Sequence, residues 1–547
     1  MDLNSLEQKI SHARSVNHSL PDLPFNIVTL LKRGIGNSDT FLIYIELNGK
    51  RVEFSYRDFY EMVLDTARFY QSQNLQIGDK IATISHNHWH TVVQYFAAWF
   101  CGLVVVPVNL SEDDHRIEYI LKTAEVKLAL VRDNYLDRIQ KICSIAGLDG
   151  IQIVPCGEDI NSFTKSEGVL KEPNFAVDTD ALIVFTSGTT GNPKGVVLSQ
   201  KNLLEDARAI SEWHQITDET RMMCVLPIHH VNGTVVTLLT PFYVGASVVL
   251  VEKFKIDQFF PLIEKEQVHI VSVVPTLLQF LTSFYEDKEP PKLNYFKHII
   301  CGAGPLTVNV AKHFESRFGK RIIHGYGLSE TTCYSCFLPL NLSSEEHTSW
   351  LNDYGFPSIG VAIPANEMAI HNERGETVGE EERGEIVIRG VNVMKEYFHN
   401  KEANEAAFTH GWFKSGDEGF YKNDADGNAF FFITGRIKEL IIRGGINFAP
   451  LEIDEVINQA PGVKSGIAVG FENDWYGEEV GAYVQLKDGA PENAEEVLAF
   501  CQKQLPHSKA PKVVVFGKEI PVTSTGKYQR RKVAHLFEEW KEVQFKK

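Results

Sequence analysis

Short apolar runs rich in β-branched residues recur up to about residue 430, and a polar or amphipathic segment follows each of them. The runs are KIATI, LVVVPV, KLALV, ALIVF, ASVVLV, IVSVV and HIICG. Strands that alternate with amphipathic helices build layers in which the helices cover parallel sheets. The pattern therefore predicts an α/β fold with mostly parallel sheets. Because 547 residues exceed a single core, we expect at least two domains.

The pattern changes near residue 355, where the strand-like segments become shorter and richer in turns. GEIVIRG, GWFKSGDEGFY and GNAFFFITGR predict a β-rich subdomain. After TGRIKELIIRGG, helix-like and strand-like segments alternate again in PLEIDEVINQ, KSGIAVGF, EVGAYVQL, AEEVLAFCQKQL and KVVVFGKEI. These segments predict a small, separate α+β domain at the C-terminus.

The formal net charge of −17 argues against a nucleic-acid partner, which requires a basic face. Residues 501–547 differ from the rest, with eleven lysines and arginines against four acidic residues. This local excess of positive charge is compatible with a solvated helix, but the motif PVTSTGKYQRRK within it favours a landing site for a small polyanionic molecule.

Cysteine and histidine patterns give no metal or disulfide signature. The eight cysteines lack framework spacing, and Cys333 and Cys336 have no second pair nearby, so we expect free thiols. His86, His88 and His90 alternate between a strand-like and a helix-like segment, which indicates the entry to a helix.

We expect a cytoplasmic protein without a transmembrane segment. The most apolar stretch, YFAAWFCGLVVVPV, is interrupted by Gly102 and Pro107 and is too short to span a bilayer. It predicts the end of a helix that leads into a buried strand. The N-terminal MDLNSLEQKI lacks a signal-peptide core, and the C-terminal QFKK lacks a peroxisomal signal.

The segment FTSGTTGNPKGVV, residues 185–197, combines glycines and hydroxyl groups around Lys194 between two predicted strands. Glycine lets backbone N–H groups turn toward an anion, and Ser, Thr and Lys side chains add donors. The segment is not a P-loop, because Pro193 and Gly195 flank the lysine and a strand follows it. It predicts a phosphate-binding loop of another type.

Four further clusters each have an ordinary structural interpretation when taken alone. They are HGYGLSETT, KSGDEGF, TGRIKELIIRGG and PVTSTGKYQRRK. In the first, glycines around Tyr326 predict a flat slot for a ring, and Glu330 offers an oxygen ligand for Mg²⁺. In the second, we expect Asp417 in a turn between strands, where it can accept hydrogen bonds from a ribose diol. The last isolates Lys527 after a Ser/Thr/Gly turn.

Together these segments resemble the ANL superfamily of adenylate-forming enzymes, which includes acyl-CoA synthetases, adenylation domains of peptide synthetases and beetle luciferases. The resemblance also covers FSYRDF, WFCGLVVVPVNL, RIEYILKTAEVKLAL, LPIHHVNG and CGAGPL, and thus nearly the whole chain. It implies an N-terminal AMP-binding domain at 1–436 and a small mobile α+β domain at 437–547. Ser329 departs from the family, which more often has Thr there, but the hydroxyl group is kept.

The resemblance also implies site residues, all named here by their numbers in this chain. Those implied for the β- and γ-phosphates of ATP are Thr186, Ser187, Gly188, Thr189, Thr190 and Lys194. Those implied for the rest of ATP and AMP are Gly302, Ala303, Gly304, Gly325, Tyr326, Gly327, Ser329, Glu330, Asp417, Arg436 and Lys527, with Glu330 also binding Mg²⁺. The implied catalytic residues are Lys527, Lys194, Glu330 and His230.

The implied acyl pocket and coenzyme A path use other segments. The implied acyl pocket comprises His229, His230, Val231, Asn232, Gly233, Thr276, Gly302, Gly304 and Gly325. Arg443, Gly444 and Gly445 would line the coenzyme A tunnel, and Lys438 would be the hinge between domains.

The resemblance implies an ATP-dependent acyl-CoA synthetase that uses Mg²⁺ and coenzyme A. The acyl walls are small, apolar or neutral and contain no arginine, which favours a medium- or long-chain fatty acid or an aryl acid over a malonate- or oxalate-like acid. One alternative is a stand-alone enzyme that loads a carrier protein, although PIHHVNGTVV lacks the aspartate that binds an amino-acid amine. Another is a luciferase-like monooxygenase. A non-enzymatic protein is disfavoured because Lys527, Glu330 and Lys194 are all present.

Overall fold

A computed structural model describes residues 3–157, 169–186, 192–289, 291–522 and 528–545. The α-helices are Leu6–Ala13, Ile27–Lys32, Tyr56–Ser72, Trp89–Phe100, Asp114–Thr123, Leu136–Ala146, Gln200–Trp213, Thr240–Val244, Phe259–Lys265, Pro275–Phe284, Val308–Phe318, Ser344–Asn352, Lys401–Ala407, Pro450–Ile457, Ala494–Gln504 and Arg531–Ala534. A π-helix covers Asn232–Leu239, and 3₁₀ turns cover Asp133–Tyr135, Ser329–Thr331, Ile437–Glu439 and His535–Trp540.

The strands of the described residues are numbered in chain order. They are β1 Thr40–Ile45, β2 Arg51–Ser55, β3 Lys80–Ile84, β4 Val104–Val108, β5 Val126–Arg132, β6 Gln152–Cys156, β7 Asp180–Thr186, β8 Lys194–Ser199, β9 Arg221–Cys224, β10 Ser247–Val251, β11 Ile270–Val273, β12 His298–Cys301, β13 Arg321–Tyr326, β14 Cys336–Phe337, β15 Val361–Ala362, β16 Asn366–His371, β17 Gly384–Gly390, β18 Glu396–Tyr397, β19 Phe413–Asn423, β20 Ala429–Arg436, β21 Ile441–Arg443, β22 Ile446–Phe448, β23 Val463–Asn473, β24 Gly477–Leu486 and β25 Val513–Phe516.

Two large sheets form the first part of the chain, as the alternating pattern predicts. The first has the order β15-β14-β13-β12-β11-β9-β10-β1-β2 and is parallel from β13 to β1. The second has the order β18-β8-β7-β4-β3-β5-β6 and is parallel from β7 to β6. Antiparallel strands complete the edges, including the β7–β8 hairpin that flanks the predicted phosphate loop.

The last part of the chain builds two further sheets. Strands β16-β17-β19-β20 form an antiparallel sheet, which confirms the predicted β-rich subdomain. Strands β22-β21-β24-β23, with β25 beside β24, form the sheet of the C-terminal α+β unit. That unit has its own core around Ile453, Val480 and Cys501, so it packs as a separate layer.

A buried helix holds the two large sheets together. Every residue of the helix Trp89–Phe100 after Trp89 is buried, and most of them are apolar. Rings from β1 and three helices meet in one cluster, with every pair of centroids within 6.4 Å; its members are Phe41, Phe59, Phe96 and Phe242. This helix leads into the buried strand β4, as predicted.

The described residues contain no helix long and apolar enough to cross a membrane. All eight cysteines are free and buried. His88 caps the helix Trp89–Phe100, which confirms the helix entry predicted for the histidine cluster. Over the described ranges, no group of three or more His, Cys, Asp or Glu residues is arranged to hold a metal ion.

Candidate active site

The predicted phosphate loop joins the ends of two antiparallel strands. Thr186 ends β7, Lys194 begins β8, and the two residues are paired in register. The strand after the loop confirms that no helix N-terminus follows the lysine. Ser187, Gly188, Thr189 and Thr190 lie outside the described residues.

Lys194 and Glu330 are brought together by Tyr397, which the sequence analysis missed. The Tyr397 hydroxyl donates to Glu330 Oε1 at 2.8 Å, and Lys194 Nζ lies 4.7 Å from the centre of the Tyr397 ring. Burial next to Glu330 raises the pKa of Tyr397, so the phenol stays protonated as a donor. Strand β18 places Tyr397 opposite Val196 of β8. Ser329 begins the 3₁₀ turn that carries Glu330.

Tyr326, Asp417 and Arg436 form a second group. The Tyr326 hydroxyl donates to Asp417 Oδ2 at 2.7 Å, and Arg436 Nε lies 3.6 Å from Asp417 Oδ1. Asp417 and Arg436 face each other across β19 and β20. The turn expected at Asp417 is wrong, because this residue lies within β19. Gly416 has φ +75°, so the glycine marks a local kink in a continuous strand.

The CGAG and GYG segments lie side by side because they follow or end the neighbouring parallel strands β12 and β13. Ala303 has φ +66°, an uncommon conformation that turns the backbone after β12, and Gly304 continues this turn.

The glycines here also have a packing role. A Cβ on Gly302 would lie 2.7 Å from the carbonyl oxygen of Gly325 and from the Tyr334 hydroxyl oxygen. A Cβ on Gly325 would clash with Phe337, and one on Gly327 would clash with the carbonyl of Cys333. Close packing therefore requires glycine at these positions, in addition to any space it leaves for a ligand ring.

The predicted acyl segment enters the buried π-helix Asn232–Leu239 directly after His229, His230 and Val231. Such helices are rare and are found frequently at functional sites. Gly233 is required because a Cβ would lie 2.5 Å from the carbonyl oxygen of Pro227.

Two polar side chains of the acyl segment have a buried atom with no hydrogen-bond partner among the described residues, namely His229 Nε2 and Asn232 Oδ1. Burial, with His230 adjacent, holds the pKa of His229 well below its usual range, so this imidazole is neutral. Asn232 Nδ2 donates to the Tyr334 hydroxyl at 3.3 Å, which connects this segment to Gly302. Tyr334 is a second residue that the sequence analysis missed.

The small C-terminal unit carries the remaining predicted residues. Lys438 lies in the 3₁₀ turn Ile437–Glu439 that follows β20. Gly444 and Gly445, with φ +60° and +81°, form the tight turn between β21 and β22. Arg443 contacts its own unit, with Nε 2.6 Å from Glu479 Oε1 and the guanidinium 3.8 Å from the Tyr476 ring centre.

Lys527 lies outside the described residues, but the chain is described up to Val522 and again from Tyr528. Val522 and Tyr528 form an antiparallel bridge, and Gln529 N donates to the Pro521 carbonyl at 2.8 Å. Tyr528 lines a cleft between the large and small units together with Thr276, which lies in the predicted acyl pocket.

Comparison with known proteins decides the family. Residues 36–398 match the family described as AMP-binding enzyme, and residues 452–527 match the AMP-binding enzyme C-terminal domain. The chain belongs to the AMP-binding enzyme family. This membership confirms the resemblance to adenylate-forming enzymes.

Curated relatives of this AMP-binding enzyme are CoA ligases with different named acids. It is 32% identical to a sulfoacetate–CoA ligase of Cupriavidus necator, covering 85% of this chain and 89% of the relative. It is 32% identical to an oxalate–CoA ligase of Arabidopsis thaliana, covering 86% of this chain and 91% of the relative. It is 29% identical to a long-chain-fatty-acid–CoA ligase of Bacillus subtilis, covering 89% and 90%.

Solved structures agree with the fold. ATP-bound MatB from Rhodopseudomonas palustris has a TM-score of 0.84 at 25% identity, with 95% of this chain and all of that chain covered. Apo MatB, with the same identity and coverage, has a TM-score of 0.72. O-succinylbenzoate coenzyme A synthetase (MenE) of Bacillus subtilis in complex with ATP and a magnesium ion has a TM-score of 0.78 at 25% identity, covering 92% and 98%.

This AMP-binding enzyme is therefore an AMP-forming acid–thiol ligase that uses ATP, Mg²⁺ and coenzyme A. When a carboxylate attacks the α-phosphorus of ATP, negative charge builds on the phosphorus and on the departing pyrophosphate. Fixed cations and hydrogen-bond donors stabilise that charge, and no acid–base pair is needed. The Glu330 carboxylate is a hard oxygen of the kind that suits Mg²⁺, and an ion held there would neutralise phosphate charge.

Proposed function

We propose that this AMP-binding enzyme activates a monocarboxylic acid with an uncharged acyl group, namely a medium- or long-chain fatty acid or an aryl acid. The acid would first become an acyl-adenylate with release of pyrophosphate, and coenzyme A would then displace AMP. The observation that carries this choice is the uncharged wall around His229 and Asn232.

A second anionic group on the substrate would need a cation or several donors in the acyl pocket. The proposed wall residues include no lysine or arginine, and the low pKa of His229 keeps its imidazole uncharged. The relatives named for sulfoacetate and oxalate point to small dianions as the competing substrate class. The uncharged wall favours the monocarboxylic acid.

We further propose the site roles that the contacts support. Lys194 and the loop at 186–190 bind the β- and γ-phosphates, Glu330 binds Mg²⁺, and Asp417 and Arg436 bind the ribose. The 2.7 Å hydrogen bond from Tyr326 fixes Asp417 for this task. His230 and Thr276 would contact the acid.

The same proposal divides the chain at Arg436 and places the hinge at Lys438. Residues 437–547 would rotate between two arrangements, one that presents Lys527 to the α-phosphate and one that presents Arg443, Gly444 and Gly445 to coenzyme A. Tyr528 in the cleft beside Thr276 supports the first arrangement for this structure. The higher TM-score with ATP-bound MatB than with apo MatB also supports it.

The test is a panel of acids assayed with ATP, Mg²⁺ and coenzyme A. We expect AMP and thioester with hexanoate, palmitate, benzoate or coumarate, and little turnover with oxalate or sulfoacetate. ATP–pyrophosphate exchange should proceed with the preferred acid before coenzyme A is added. A preference for oxalate or sulfoacetate would overturn the substrate class, and formation of ADP with an acyl-phosphate would overturn the mechanism. A carrier protein bearing phosphopantetheine, tested in place of coenzyme A, separates the two possible acceptors.

A further inference from the structure

The large and small units meet at a hydrogen-bonded contact between Glu455 and the helix Val308–Phe318. Glu455 lies on the helix Pro450–Ile457 of the small unit. Its carboxylate accepts from the backbone N–H of Val308 at 3.2 Å and from that of Asn309 at 3.1 Å. One side chain of the small unit thus binds two main-chain donors of the large unit.

These donors would otherwise lack a protein partner at the helix start. The first N–H groups of a helix have no acceptor within the helix. Thr307 caps the helix but its hydroxyl accepts from Val310, which leaves the donors of Val308 and Asn309 for Glu455. A carboxylate is favoured there by the helix dipole as well as by the two hydrogen bonds.

The contact lies next to the residues that are candidates for binding the nucleotide and the acyl group. The helix Val308–Phe318 begins directly after the loop that contains Gly302, Ala303 and Gly304. The residues around the same cleft come from both units and include Thr276, Thr307, Asn309, Lys464 and Tyr528. A second bond across the units, from Gln279 Nε2 to the Lys464 carbonyl at 3.2 Å, lies at this cleft.

We propose that Glu455 is a positioning residue that holds the small unit in the arrangement used for adenylation. Tyr528, which follows Lys527 in the chain, reaches the cleft only while the two units are docked on this face. Rotation about the hinge would separate Glu455 from the helix and return the two N–H groups to water. This inference rests on the domain rotation proposed above.

The test compares Glu455→Ala with Glu472→Ala. Glu472 pairs with Lys541 inside the small unit at 2.7 Å, so its loss removes a carboxylate without touching the domain contact. Two half-reactions are measured: ATP–pyrophosphate exchange with the preferred acid, and thioester formation from supplied acyl-adenylate and coenzyme A. For Glu455→Ala we expect exchange to fall about tenfold, with thioester formation unchanged or faster. Glu472→Ala should match the wild type in both half-reactions. The rate of ATP–pyrophosphate exchange of Glu455→Gln should lie between those of the wild type and Glu455→Ala.

Hydrogen exchange of a peptide covering residues 302–312 gives a readout that needs no acid substrate. We expect Glu455→Ala to speed exchange at Val308 and Asn309 but not at Val310, which Thr307 caps. Equal losses in both half-reactions, or unchanged hydrogen exchange, would overturn the role of Glu455. If Glu455→Ala speeds hydrogen exchange at Val308 and Asn309 while the wild-type enzyme activates none of the uncharged acids, the proposed substrate class is overturned and the contact made by Glu455 is not.

Discussion

The nucleotide side of the candidate site and the face of the small unit are held in different ways. In the large unit, Tyr326 of β13 holds Asp417 of β19, and Tyr397 of β18 holds Glu330 of a 3₁₀ turn, each through a hydrogen bond between side chains within that unit. The small unit meets the large one through polar contacts such as those of Glu455 and Gln279, which the proposed rotation would break. Substitutions on the nucleotide side should therefore weaken adenylation alone. Substitutions in the small unit should change the balance between the two half-reactions.

The largest effect is expected for Lys527→Ala. Loss of a cation that stabilises transition-state charge costs on the order of 10²–10³ in rate, so ATP–pyrophosphate exchange should fall by this factor. Thioester formation from supplied acyl-adenylate should persist, because that step does not use the α-phosphate cation. Lys532→Ala, five residues further along and exposed, is the matched control and should retain both half-reactions. Equal loss of both steps in a folded Lys527→Ala protein would contradict the two-arrangement mechanism.

Lys438→Pro should give the opposite pattern. The proline ring locks φ near −65°, which blocks the backbone rotation required of a hinge. We expect ATP–pyrophosphate exchange to persist while thioester formation from supplied acyl-adenylate falls at least about tenfold. Lys438→Ala keeps the backbone free and serves as the control. If Lys438→Pro forms thioester at the wild-type rate, the hinge lies elsewhere in the chain.

Lys194→Ala tests the nucleotide side. Hydrogen bonds to charged groups contribute about 1.5–3 kcal/mol, so kcat/KM for ATP should fall roughly tenfold to a hundredfold. Only the rate of adenylation should fall, and the rate of thioester formation from supplied acyl-adenylate should stay unchanged, since Lys194 belongs to the large unit. Steady-state kinetics with varied ATP measures the effect, and Lys194→Arg keeps the charge as a control. Unchanged ATP kinetics with a normal melting temperature would assign the loop a structural role.

Local patterns predicted much of this molecule, and non-local pairing accounts for what they missed. The strand after Lys194 and the β-rich subdomain follow from short-range apolar patterns, and both are confirmed. Tyr397 was missed because β18 has two residues and pairs with a strand some 200 positions earlier, so no periodicity marks it. The turn expected at Asp417 was wrong because a glycine with positive φ kinks a strand as readily as it makes a turn. The roles of Lys527 and Lys438 stay predictions.

The smallest effect is expected at Tyr397, and it separates two contributions of one side chain. Tyr397→Phe keeps the ring near Lys194 but removes the hydrogen bond to the Glu330 carboxylate, and hydrogen bonds to charged groups contribute about 1.5–3 kcal/mol. Glu330 would keep its charge and lose only part of its orientation, so the Mg²⁺ concentration needed for half-maximal ATP–pyrophosphate exchange should rise only a few-fold, less than the full contribution of the bond. Tyr397→Leu also removes the ring, so it should raise the KM for ATP toward the value of Lys194→Ala. Thioester formation from supplied acyl-adenylate should be unchanged in both variants, because neither contact belongs to the small unit. If Tyr397→Phe altered that step as well, the nucleotide side would not be independent of the domain rotation, and the contrast between the two regions would fail.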